Sequence, residues 1–217
     1  MGLGPRDCLQ SSRGDEEGTT LGEQRRRDAD VPEEEACRPE RAGRRGLVMV
    51  LTGNGKGKTT AAFGLALRAI GHGGRVLVLQ FMKGSENYGE IRAARRHLEG
   101  LLVVEQYGRD AFVNKAAPLP VDVELAKRGL ARAGEALAEG DFDLVVLDEI
   151  NVAVDFGLLT WEEVEAALRS RHPSVDVLLT GRYAPGELVR VADQVSEVLD
   201  IKHHYAEGVP ARAGIEF

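Results

Sequence analysis

This 217-residue chain holds no apolar run that approaches the ~20 residues needed to span a bilayer, so no membrane helix is expected. Cysteine is nearly missing. Its two copies, Cys8 and Cys37, lie far apart in the first 45 residues with no histidine nearby, so neither a disulfide framework nor a zinc site follows. A reducing cytoplasm is compatible with that. Lysine is scarce too, with only six in the chain. A net charge of -7, without a basic, aromatic-interleaved stripe, argues against a protein built to coat nucleic acid.

Residues 1–45 lack large aliphatics, offering only Leu3, Leu9, Leu21 and Val31 among nine arginines and eleven acids. Such a segment cannot bury enough apolar surface to offset ordering entropy, so a disordered tail is expected ahead of a domain at residues 46–217. It has no apolar core of a secretory signal, and its acids argue against a mitochondrial transit peptide.

What the chain does have is concentrated at residues 47–60. Leu47 to Leu51 reads as a buried strand, Gly53, Gly55 and Gly57 alternate with Asn54, Lys56 and Lys58, and Thr59 and Thr60 open a helix. Strand, glycine-rich loop, Lys-Thr and helix are the setting of a phosphate-binding loop, whose backbone N–H groups and helix N-terminus face an anion. Lys58 would neutralise phosphate oxygens, and the Thr59 hydroxyl would ligate the magnesium that accompanies a nucleoside triphosphate. Only three residues separate Gly53 from Gly57, one fewer than in G-x-x-x-x-G-K-[ST]. The bland alternative is a tight turn with incidental lysines, yet two of six lysines fall here.

Downstream, strands are predicted at 75–80, 101–104, 143–149, 175–179 and 195–201, alternating with helices at 91–98, 121–138 and after Thr160. Thr160 and Glu163 form a capping-box pattern, and Pro185 suits the start of a short helix. Alternation of this kind implies a mostly parallel six-stranded sheet with helices on both faces. Asp148 and Glu149 end an aliphatic strand on the edge where ligands gather, as expected of magnesium ligands or water-orienting carboxylates. Residues 106–120 form a long loop in which Phe112 and Val113 either face a flat apolar ligand or cover the core. Arg182, after the fifth strand, either reaches a phosphate or makes a structural ion pair. His203 and His204 lie on a segment read as extended, which makes them poor joint metal ligands.

Thr52-Gly-Asn-Gly-Lys-Gly-Lys-Thr-Thr60, Gln80-Phe-Met-Lys-Gly84, Leu147-Asp-Glu-Ile150, Leu179-Thr-Gly-Arg-Tyr-Ala-Pro185 and Lys202 to Phe217 occur in this order. Together they resemble the CobA/CobO/BtuR family of ATP:corrinoid adenosyltransferases over residues 46–217, the shortened loop included. The resemblance implies a P-loop NTPase (RecA-like) fold, a homodimer, and transfer of the 5′-deoxyadenosyl group of ATP to a reduced corrinoid. That corrinoid is either cobalamin or the precursor cob(I)yrinic acid a,c-diamide. It implies ATP held by Gly53 to Thr60 and Arg182, magnesium on Thr59 and Glu149 with Asp148 as a nearby alternative, and an electron-donating flavoprotein as partner. Catalytic expectations fall on Lys58, Glu149 and Phe112, the last as the aromatic that keeps a lower ligand from cobalt. Many members carry Gly-Phe-Thr-Trp there, whereas this chain reads Gly108-Arg-Asp-Ala-Phe-Val-Asn114. It also lacks D-x-H-x-x-G, the histidine-ligand motif of other corrinoid proteins. The competing readings are a RecA-like ATPase acting on nucleic acid, and a nucleotide-dependent regulatory module without chemistry.

Overall fold

Valine and leucine runs build the strands, and the computed structural model, which describes residues 43–217, joins them in one six-stranded sheet. The strands are β1 (Val48–Thr52), β2 (Val76–Phe81), β3 (Leu102–Tyr107), β4 (Leu144–Asp148), β5 (Asp176–Thr180) and β6 (Gln194–Glu197). Their order is β3-β2-β4-β5-β1-β6, and every neighbouring pair is parallel. Helix α1 (Lys58–Ile70) connects β1 to β2, α2 (Gly89–His97) connects β2 to β3, and α3 (Pro120–Glu139) connects β3 to β4. Helices α4 (Ile150–Asp155) and α5 (Trp161–Arg169) lead into β5, and α6 (Gly186–Val191) leads into β6. This is the predicted α/β class, with the sheet wholly parallel among the described residues.

The two-residue period of the strands sorts the core into two layers. Leu77, Leu79, Phe81, Val145 and Leu147 pack with Ala126, Ala133 and Leu137 of α3 and Val164 of α5. Val76, Val78, Val146 and Leu178 face Ala62 and Ala66 of α1 and Ala94 of α2. Burial of each leucine in these layers contributes ~1.5–3 kcal/mol. The Thr160–Glu163 box forms as predicted: Thr160 N donates to Glu163 Oε2 at 2.8 Å and Glu163 N to Thr160 Oγ1 at 3.2 Å.

Two expectations are corrected. The sixth strand ends at Glu197 rather than Ile201, leaving Leu199 and Ile201 exposed. Among the described residues its ladder partner is β1 alone, whose last residue, Thr52, pairs with Glu197 before the chain turns into the glycine loop. The third strand instead runs on to Tyr107, because β2 accompanies it as far as Phe81. Arg44 and Arg45, the last two residues read as tail, pair with Asp176 and Asp193. The tail expectation for residues 1–42 lies outside the described residues.

Strand β5 stands between β1 and β4, so the phosphate-loop strand and the Asp148 strand share no ladder. All six strands point the same way, which gathers the loops after β1, β2, β4 and β5 at one edge.

Candidate active site

Gly57 caps α1 with φ 111°, a left-handed conformation that glycine adopts without strain. Gly55 serves a different need, since a Cβ there would lie 2.5 Å from Leu199 O and its N–H donates to Val198 O at 2.8 Å. The loop is therefore seated on the segment that follows β6. Lys58, the first residue of α1, folds back so that its ammonium donates to Gly53 O and Gly55 O, both at 2.7 Å. Burial, followed by the charge of Arg182, lowers its pKa, against the pull of Glu149 and Asp148.

Thr59 Oγ1 donates to Asp148 Oδ1 at 2.9 Å. Asp148 is fully buried and accepts also from Thr180 Oγ1 at 2.7 Å, Lys83 Nζ at 2.8 Å and Gln80 Nε2 at 3.2 Å. Lys83 donates in addition to Thr59 Oγ1 at 3.0 Å. Burial works against the Lys83 ammonium, but the adjacent Asp148 carboxylate outweighs it and holds the pKa above the ordinary lysine value.

Glu149 diverges from its neighbour because its backbone turns left-handed, φ 63°, with its N–H donated to Thr180 Oγ1 at 3.0 Å. That turn leaves Asp148 under the loop and brings Glu149 to the cavity wall. Burial and then the Asp148 charge raise its pKa, opposed by Lys83, Lys58 and Arg182.

The cavity, of about 630 Å³, brings together Asn54 to Thr60, Glu149 and Arg182. Of the sequence-derived set, the structure keeps Lys58, Thr59, Asp148, Glu149 and Arg182 close around the loop. Gly53 lies behind it as an acceptor for Lys58. Lys56 also lines the cavity, its ammonium donating to Ile215 O at 2.9 Å and Glu216 Oε2 at 2.5 Å on the facing wall. Phe112 is not brought to this cavity. It stands fully exposed, with a relative exposure of 103%, and so does not cover the core, whereas Val113 packs on the core. The loop is clasped by Arg109, forked onto Asp122 at 2.6 and 3.0 Å, and by Lys115 at 2.7 Å from Asp155. His203 and His204 do not point to opposite sides as expected of an extended segment. His204 opens a 3₁₀ turn, and the rings stack at 4.5 Å.

The donors fit a hard divalent ion. Thr59 and Asp148 offer oxygen, and a cation, the Lys83 ammonium, already bonds to both. Among the described residues no group of three His, Cys, Asp or Glu forms a metal cage. Magnesium does not need one, since it uses one or two carboxylates together with substrate phosphates. The hydroxyl contact is made by Asp148, the alternative in the sequence reading, rather than by Glu149.

Residues 44–217 match the family model described as ATP:corrinoid adenosyltransferase BtuR/CobO/CobP. The chain belongs to that family. Its relatives include the corrinoid adenosyltransferase of Escherichia coli K12, 40% identical over 173 residues, covering 80% of this chain and 86% of that one. The Pseudomonas aeruginosa enzyme is 38% identical, covering 80% and 84%, and CobA of Salmonella typhimurium 40%, covering 80% and 86%. The flagellar accessory protein FlaH of Methanocaldococcus jannaschii is similar at a TM-score of 0.49 with 13% identity over 71% of each chain, a likeness too weak to bear on fold or function.

Sequence reasoning missed three parts of this corrinoid adenosyltransferase's site: Lys83, Thr180, and the Asp200, His203 and Gly214 to Phe217 wall. Lys83 carried a signal, being one of six lysines and lying directly after a buried strand. The family match leaves the nucleic-acid ATPase reading without support.

Proposed function

We propose that this chain transfers the 5′-deoxyadenosyl group of ATP to the cobalt of a reduced corrinoid and releases triphosphate. The observation that carries the reading is the pair Lys58 and Thr59 at the start of α1, facing a 630 Å³ cavity in a chain of this family, with the Thr59 hydroxyl bonded to the buried Asp148 behind it. In the reaction a Co–C5′ bond forms with both electrons from cobalt, and the C5′–O bond breaks with its pair leaving on the triphosphate. No protein nucleophile or base is required. The demands are to hold C5′ in line and to stabilise the leaving charge.

The chain's own groups suit the second demand. Lys58 rests on loop carbonyls and needs only a side-chain rotation to meet phosphate oxygens, while Arg182 adds positive charge from the loop after β5. The N–H groups at the start of α1 are free of intrahelical partners and face an anion. Magnesium, when bound, neutralises triphosphate oxygens; Thr59 and Asp148 would hold it, with Glu149 nearby. Phe112, on its clasped loop, is the residue offered to the lower face of the corrin. A homodimer, an electron-donating flavoprotein, a cytoplasmic setting and the choice of cob(I)yrinic acid a,c-diamide over cobalamin rest on the family resemblance alone. Among the described residues no helix is long and apolar enough to cross a membrane.

The test is absorbance of chemically reduced cobalamin, and separately of the reduced diamide precursor, mixed with ATP, Mg²⁺ and enzyme. A light-sensitive alkylcobalt product supports the assignment, and Lys58→Ala should abolish its formation and weaken ATP binding. Absence of product with either corrinoid, or a Lys58→Ala variant with wild-type rate and affinity, would overturn it.

A further inference from the structure

Lys83 has the partners of a metal ion. Its ammonium lies 2.8 Å from Asp148 Oδ2 and 3.0 Å from Thr59 Oγ1, the two oxygens that fit the divalent ion. The Thr59 hydroxyl donates to Asp148 while accepting from Lys83, so its lone pair faces the ammonium as it would face a cation. We propose that Lys83 is an exchangeable counter-cation. It balances Asp148 while the nucleotide site is empty, yields Thr59 and Asp148 to the divalent ion entering with ATP, and turns its ammonium onto the triphosphate. The inference rests on the adenosyl-transfer reading above and deepens it.

Charge balance requires such a partner at all times. Asp148 is fully buried, and an uncompensated carboxylate in that position is strongly unfavourable. Lysine suits exchange better than arginine, because it is a point charge on a flexible stem rather than a fixed fork. Two cations on the same pair of oxygens repel, so binding of one releases the other.

The backbone limits the motion to the side chain. A Cβ at Gly108 would lie 2.3 Å from Lys83 N, and one at Gly84 would lie 2.6 Å from Gly108 O, so the loops after β2 and β3 are in backbone contact. A second station is at hand, with the Lys83 ammonium 5.8 Å from the centre of the Tyr88 ring, which can receive a cation on its face. Both residues line the cavity with Lys58 and Arg182, so a displaced ammonium stays within the anion site.

The experiment measures Mn²⁺ alone, by electron paramagnetic resonance, binding to nucleotide-free wild type, Lys83→Met and Lys83→Arg. Lys83→Met is expected to bind Mn²⁺ at least tenfold more tightly than wild type, and Mn²⁺ together with ATP at least fivefold more weakly. Lys83→Arg keeps the charge but yields less readily, so it should bind Mn²⁺ alone no more tightly than wild type. A merely structural lysine would weaken both affinities together. Should Lys83→Met require metal to stay folded, it is prepared with Mn²⁺, and its melting temperature should fall further than that of wild type when EDTA is added. Unchanged or weaker Mn²⁺ binding by a folded Lys83→Met, or an equal EDTA effect, overturns the exchange while leaving adenosyl transfer standing. Failure of wild type to form the alkylcobalt product removes the parent reading and this inference with it.

Discussion

Replacing Thr180 with valine removes one hydroxyl and almost no volume. That hydroxyl is fully buried and joins the two acidic residues, donating to Asp148 Oδ1 at 2.7 Å and accepting from Glu149 N at 3.0 Å. A hydrogen bond to a charged group contributes ~1.5–3 kcal/mol, and a buried donor left unsatisfied costs ~1–3 kcal/mol. Because the two share one oxygen they are not strictly additive, so Thr180→Val should destabilise by about 2–5 kcal/mol. At ~2–4 °C per kcal/mol for a domain of this size, the melting temperature should fall by about 4–20 °C. Thr180→Ser keeps the hydroxyl and loses one methyl, a change of about 1 kcal/mol. Thermal unfolding of both variants is read beside the Mg²⁺ concentration at half-maximal adenosylation, which should rise only for valine. A valine variant within ~0.5 kcal/mol of wild type, the ordinary range for inconsequential changes, with an unchanged Mg²⁺ requirement, would refute the view that β5 organises the carboxylates.

Phe112→Ala should change stability by less than ~0.5 kcal/mol, because a fully exposed ring has no burial to lose, whereas a core phenylalanine would cost ~3–5 kcal/mol. Activity from cob(II)alamin with a protein reductant should drop selectively, with preformed cob(I)alamin much less affected; equal losses in both assays would retire the corrin-facing role. The Tyr107 hydroxyl has its pKa pushed up to about 12 by burial and by its hydrogen bond to Glu105. Its raised folded value contributes stability below the unfolded pKa of ~10, lost as the pH climbs toward 12. Tyrosinate absorbance should show a late step that Tyr107→Phe deletes; a variant whose titration keeps that step would contradict it.

Local signals in the sequence were reliable where the structure is local. The strand–glycine–Lys-Thr–helix unit, the Thr160 cap and the acids closing β4 each follow from neighbours within a few residues. Lys83 was legible only as a lysine in a motif, because its meaning depends on β2 lying beside β4, where Gln80 faces Asp148 across the ladder. Thr180 was hidden for the same reason, its role arising from the insertion of β5 between β1 and β4. The divergence of the Asp148 and Glu149 side chains turns on a left-handed φ at Glu149 that no periodicity encodes. Lys56, placed among the ATP-holding residues by the family resemblance, has partners from the far end of the chain that no local signal announces.

The interposed β5 has a consequence for the order of assembly. During synthesis β1, β2, β3 and β4 all emerge before the strand that joins the phosphate loop to its carboxylates. Leu47 and Asp176, 129 residues apart, must find each other, and Leu47 N then donates to Asp176 Oδ1 at 2.8 Å. Pairing at such separations is slow, and until it occurs β1 and β4 present open edges that invite association between chains. Nucleotide can recognise only the completed sheet, so it should slow unfolding while leaving the refolding rate unchanged. Stopped-flow unfolding and refolding with and without Mg²⁺ and ATP test this. Faster refolding with nucleotide would mean that β5 is already seated in the transition state.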